Sequence, residues 1–174
     1  MTTQQIADQI DSSFSGSIVK AILLKVLGDA GQDAKRASLQ LIRVELVSRY
    51  GGSNWRIDEV DSMFYANGGV TVGLGATIHH YSDASAYTIV AVSKSGKQIT
   101  LQADNAILDP NFRPDFHPGG FVGHVSNQNE QTYAYSRNLE APLIKARLHK
   151  DGRFYVGSSR VGIGYRSAFH DYNF

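Results

Sequence analysis

From residue 1 to about 66 the apolar positions recur at helical spacing, and beyond Gly69 they alternate with polar ones. The chain therefore reads as a helical region, 1–69, followed by an antiparallel β domain, 70–174, in the α+β class. Three capping signals divide the first region. Ser15 or Ser17 opens a helix running toward Gly28, Asp33 opens one ending at Gly51 and Gly52, and Ser53 or Asn54 opens a third stopped by Asn67, Gly68 and Gly69. About three helices are expected. The Asp33 helix carries two apolar stripes on largely opposite sides, Leu39, Ile42 and Leu46 against Ala37, Leu41 and Val44, which predicts two packing partners. The stretch 18–27 is apolar nearly all round. It asks for burial by the β domain, another helix or a second copy of the chain, so a homo-oligomer is expected.

Alternation predicts strands at 76–81, 87–93 and 98–103, the last two flanking the short loop Lys94-Ser95-Gly96-Lys97, whose glycine supplies a positive φ. A long loop, 109–129, holds three of the four prolines, and further strands are predicted at 131–137, 143–149, 153–156 and 161–165. So many short strands predict a small antiparallel β-barrel or a strongly twisted sheet.

Composition narrows the function classes. With no cysteine among 174 residues there is no disulfide framework, thiolate metal site or cysteine nucleophile. The 18–27 run contains Lys20 and Lys25 and is too short to span a bilayer, and residues 1–11 lack the basic start of a secretory signal, so no membrane association is expected. The net charge is only +1, yet it is uneven. Between Arg137 and Arg166 seven basic residues stand against Glu140 and Asp151, an excess of five positive charges that favours an anionic partner.

Candidate chemistry lies mostly in the second region. His79 and His80 are neighbours on a strand and point to opposite faces, so they do not chelate one ion together without a bulge. The loop from Phe116 to His124, followed by Asn127 and Gln128, combines glycine freedom with aromatic and hydrogen-bonding side chains able to fold over a ligand. Tyr133, Tyr135 and Arg137 share one strand face; Lys145, Arg147 and His149 share one on the next. If these faces coincide, the sheet offers rings for bases and guanidinium forks for phosphates. If they do not, the tyrosines belong to the core and the cations to a solvated exterior. The last nine residues are too aromatic for a frayed tail and should dock on the body. No Walker-type loop, paired metal-histidine motif or nucleophile elbow occurs, so neither catalytic residues, metal ligands nor a cofactor is expected, and the chain reads as a non-enzyme.

The segments Tyr87-Thr88-Ile89-Val90, Val92-Ser93-Lys94-Ser95-Gly96-Lys97, Gln102-Ala103-Asp104, Pro118-Gly119-Gly120-Phe121 with Gly123-His124, Asn127-Gln128, Lys150-Asp151-Gly152-Arg153 and Asp171-Tyr172-Asn173-Phe174 form a set. Through them, residues 73–174 resemble a widespread group of small tailed-phage proteins of unassigned function, whose members generally lack a helical extension like 1–66. The resemblance implies phage origin and action in the bacterial host cytoplasm. By analogy of size, origin and surface chemistry with the Thoeris and CBASS sponge proteins, it implies an anti-defence protein that sequesters a small anionic nucleotide signal without cleaving it. In that scheme Tyr133 or Phe121 stacks a base, Arg137, Arg147 and Arg166 hold phosphates, and His124, Asn127 and Gln128 read polar edges. Two alternatives stand beside it: single-stranded nucleic-acid binding by a small barrel, and inhibition of a host protein by the N-terminal helices.

Overall fold

The computed structural model describes residues 1–50, 54–119 and 123–173. The chain divides into two compact units, Met1–Gly69 with Lys150–Arg153, and Val70–His149 with Phe154–Phe174.

Among the described residues the first unit holds four helices. The one the pattern did not predict, α1 (Thr3–Asp11), starts from a capping box: Gln5 N donates to Thr2 Oγ1 and Thr2 N to Gln5 Oε1. It buries Ile6, Ala7 and Ile10. Its last carbonyls, which helix geometry leaves without partners, are met from another helix: Arg56 donates to the oxygens of Ile10 (3.1 Å), Asp11 (2.8 Å) and Ser13 (3.0 Å). Helix α2 (Gly16–Leu27) ends where Gly28 takes a φ of +48°. Helix α3 (Gln32–Tyr50) begins one residue before Asp33, which therefore sits in the first turn rather than at the cap. Helix α4 (Trp55–Phe64) is capped by Asn54, whose side chain accepts from Arg56 N, and runs on into the irregular turn Tyr65–Gly69. The other expected boundary residues, Gly51, Gly52 and Ser53, lie outside the described residues.

Val19, Leu23, Leu39, Ile42, Leu46, Ile57 and Val60 join the α1 residues in one core. Each fully buried aliphatic side chain contributes on the order of 1.5–3 kcal/mol. Only one stripe of α3 takes part. Leu41 and Val44 are 60% and 57% exposed, so the expected second packing partner is not found among the described residues of this unit.

The second unit is a closed six-stranded antiparallel barrel. Strands β1 (Gly75–His79), β2 (Ala84–Val92), β3 (Gln98–Leu108), β7 (Leu143–Leu148), β8 (Phe154–Val156) and β9 (Ser159–Ile163) run in the order β2-β1-β9-β8-β7-β3, and β2 pairs with β3 to close the circle. Ala76, Ile78, Ile89, Ile99, Leu101, Ala146, Phe154, Val161 and Ile163 fill the interior from alternate positions. Strand β3 outruns the barrel by five residues, and Asp104–Leu108 pair with β6 (Tyr133–Arg137) in a two-stranded ribbon. The long loop is not bare: β4 (Phe116–His117) and β5 (His124–Val125) pair within it, and a 3-10 turn covers Gln128–Glu130.

The C-terminal residues form a strap on the outside of β1, β2, β3 and β6. Ser167 N donates to Thr77 Oγ1 (3.0 Å), Ala168 N to Tyr135 Oη (2.9 Å), Asp171 N to Asp83 Oδ1 (2.8 Å) and Tyr172 N to Gln128 Oε1 (3.1 Å), while Phe169 and Ala84 exchange two backbone bonds. Glycine makes the crossing possible at two places. A Cβ on Gly162 would overlap the Tyr165 ring, and one on Gly75 would lie 2.9 Å from Arg166 Cγ.

Candidate functional site

The register of β3 decides whether the tyrosine and basic faces coincide. Tyr133, Tyr135 and Arg137 stand opposite Leu108, Ala106 and Asp104; Lys145 and Arg147 stand opposite Thr100 and Gln98. All these even-numbered β3 positions lie on one side, opposite the inward Ile99 and Leu101, so both sets face outward. Yet Gln98 and Leu108 are ten residues apart, which places Arg147 roughly 33 Å along the strand from Tyr133 at 3.3 Å per residue. The cations and rings share a face without meeting in one concave spot.

Arg137 and Arg166 do converge, on a carboxylate of the protein itself. Asp104 has a side chain only 1% exposed, and Arg166 Nε donates to its Oδ2 at 2.8 Å while Arg137 Nε lies 3.8 Å from its Oδ1. Thr88 Oγ1 lies 2.8 Å from both carboxylate oxygens and accepts from Arg166 Nη2 at 2.9 Å; Arg137 Nη2 donates to Gln102 Oε1 at 2.9 Å. A buried charge persists only when paired and hydrogen-bonded in this way. These two arginines anchor the strap and the ribbon to the barrel.

Most other predicted site residues serve the same fastening. Asn127 Oδ1 accepts from Asp115 N and its Nδ2 donates to Arg113 O; Gln128 takes Tyr172 N; Tyr133 Oη donates to Gln131 Oε1. The Tyr133 ring stacks on Tyr135 with centroids 6.5 Å apart, and burial pushes its phenol above the ordinary tyrosine pKa. His124 is exposed on β5 opposite His117, which bonds Asp115 and Ser126 through a single nitrogen, Nε2. A serine triad needs the two imidazole nitrogens for different partners, so this cluster is not one. Phe121 lies outside the described residues. Among the described residues no group of three or more His, Cys, Asp or Glu is arranged to hold a metal ion. His79 Nε2 lies 2.9 Å from Tyr165 Oη and His80 Nε2 lies 3.2 Å from Ser85 Oγ, each histidine separately engaged.

Arg147 belongs to a second constellation. Across the barrel exterior the register aligns Gln98, Arg147, Tyr155 and Arg160 on β3, β7, β8 and β9, a row of three inter-strand steps spanning about 14 Å. Lys145 on β7 and His149, the residue just past its end, flank it; the His149 ring packs at a tilt of 37° against Tyr155 with centroids 4.5 Å apart. The β2–β3 turn adds Lys94 and Lys97, and Lys97 O accepts from Leu148 N (2.9 Å). Lys94, Lys97, Lys145, Arg147, His149 and Arg160 are exposed, and Tyr155 is half-buried. Strands β7, β8 and β9 carry no Asp or Glu. Sequence alternation located Lys145, Arg147 and His149 but not Tyr155 as their centre, because that follows only from the β7–β8 register.

The cavities suit an anion less well. One of about 350 Å³ is lined by Asp109, Asn111, Phe112, Arg113, Asn127, Glu130 and Thr132, so two carboxylates face one guanidinium. A groove of about 530 Å³ in the helical unit, lined by Met1, Gln9, Ala21, Ile22, Lys25 and Val26, is mainly apolar. Among the described residues no helix is long and apolar enough to cross a membrane. No family model, curated protein or solved structure matches this chain.

Proposed function

We propose that this chain is a non-catalytic binding protein whose barrel takes single-stranded nucleic acid on the outer face of β7, β8 and β9. The observation that carries the reading is the aligned row Arg147-Tyr155-Arg160, flanked by Lys145 and His149 and free of strand carboxylates. Guanidinium and ammonium groups meet phosphates, and a tyrosine ring stacks a base for roughly 1–3 kcal/mol. An open face about 14 Å wide suits an extended strand better than a small ligand, which gains affinity by being mostly enclosed.

Fluorescence anisotropy with a labelled deoxythymidine 12-mer tests this. Four phosphate contacts would lower the affinity roughly 50-fold between 50 and 200 mM salt, at about 0.7 of a counterion per contact. Absence of binding by folded protein at low salt, or salt-insensitive binding, would remove the reading.

A second reading, sequestration of a small anionic nucleotide signal, has its own support. Arg137 and Arg166 share the single carboxylate of Asp104, which leaves one positive charge in excess near the stacked Tyr133 and Tyr135. Calorimetry with cyclic dinucleotides and ADP-ribose derivatives separates the two: heat with these and no oligonucleotide binding favours sequestration. The phage origin, host-cytoplasm setting and anti-defence role belong to this proposal through the resemblance of residues 73–174.

A further inference from the structure

Strand β6 ends the sheet: it pairs with β3 on one side and has no strand on the other among the described residues. Which of its backbone groups face that open edge follows from one bond. Asp109 N donates to Thr132 O at 2.9 Å, one position beyond the last register pair, Leu108 with Tyr133. Hydrogen-bonded and non-hydrogen-bonded pairs alternate along an antiparallel ladder. The pairs Ile107 with Ala134 and Asn105 with Ser136 therefore exchange bonds, and the N–H and C=O groups of Tyr133, Tyr135 and Arg137 turn away from β3.

That edge is complementary to itself. If a second β6 lies antiparallel with Tyr135 on the two-fold axis, Tyr135 faces its own copy and Tyr133 faces Arg137 of the second copy. All three positions present outward groups, so the register forms six backbone hydrogen bonds and leaves none of these groups facing water alone. On the outer side each Tyr133 stands beside an arginine stem, and on the other side Ala134 meets Ser136. Beyond its short length and the terminal Arg137, the strand lacks the devices that blunt a sheet edge. The strand is Tyr-Ala-Tyr-Ser-Arg, without lysine or proline, and its register with β3 is uninterrupted.

We infer that β6 is an interface for a second copy of this chain, joining two barrels through a four-stranded β3-β6-β6-β3 ribbon with two-fold symmetry. The inference goes beyond the nucleic-acid reading and does not depend on it.

Sedimentation equilibrium of the full chain up to about 100 µM, a range that includes weak specific contacts, is the test. The wild type is expected to dimerise, with hydrogen exchange at the Tyr133, Tyr135 and Arg137 amides slowing as concentration rises. The double variant Ala134→Lys/Ser136→Lys places like charges opposite each other twice and should be monomeric. Ala134→Lys/Ser136→Glu places opposite charges there and should restore the dimer, which also guards against a lysine variant that merely misfolds. A monomeric wild type, a dimer that persists in the double lysine variant, or amide protection at β6 only after an extended peptide is added would each overturn the inference.

Discussion

The outer surface of this barrel divides into two faces that spend the same residue types differently. Over β1, β2, β3 and β6, arginine, tyrosine, threonine and glutamine are turned on the protein itself: Arg137 and Arg166 on Asp104, Tyr135 on Ala168, Thr77 on Ser167. Over β7, β8 and β9, Lys145 and Arg147 stand exposed beside the half-buried Tyr155 on strands without a carboxylate. Residue type alone does not separate a fastening from a binding surface. A buried acceptor on the same face does, and Asp104 is that acceptor.

The largest expected effect comes from removing it. Asp104→Ala leaves two arginines and Thr88 without their shared partner and should cost about 2–3 kcal/mol of barrel stability in urea unfolding, less than for a fully buried ion pair because both guanidiniums reach solvent. Gly162→Ala displaces the far end of the half-exposed Tyr165 ring and should cost less, about 1 kcal/mol by the same measurement. Either result below about 0.5 kcal/mol, the ordinary range of surface changes, would break the contrast by making the strapped face an ordinary surface.

Smaller effects sharpen it. Burial raises the phenol pKa values of Tyr87 and Tyr133 in the folded state. The unfolded chain therefore loses these protons first, and stability should fall as pH rises beyond about 10, the unperturbed tyrosine value. Alkaline unfolding of Tyr133→Phe should show a shallower fall; an identical pH profile would mean that partial burial does not hold back ionisation of this ring. The smallest stability effect is expected on the open face, where Arg147→Ala should stay within about 0.5 kcal/mol by urea unfolding while still weakening oligonucleotide binding.

How far the sequence reveals this varies with the range of the interactions. Helix α4 and the β2–β3 hairpin are legible because their signals are local: Asn54 caps Trp55–Phe64, and Gly96 turns the chain with a φ of +68°. Helix α1 had a local signal too, the Thr2–Gln5 capping box, although its residues look unremarkably polar. The extension of β3 is harder to read, since Asp104 and Asn105 are poor strand formers. Asp104 is held there by Thr88 and Arg166, which are 16 and 62 residues away. The same distances explain the site. Periodicity placed Arg137, Arg147 and Arg166 on outward positions or in the tail, but only the tertiary register assigns two of them to Asp104 and the third to the row with Tyr155. Asn127 and Gln128 look like reading groups for a ligand edge, and they hold Asp115 N and Tyr172 N instead.

Backbone amide NMR during titration with a deoxythymidine 8-mer addresses the division of the two faces most directly. Chemical-shift changes are expected to concentrate on residues 143–149 and 154–163 and on the Lys94–Lys97 turn, with the amides around Asp104, Arg137 and Arg166 unmoved. Changes centred on Asp104, Arg137, Tyr133 and the strap, with β7, β8 and β9 silent, would contradict that division.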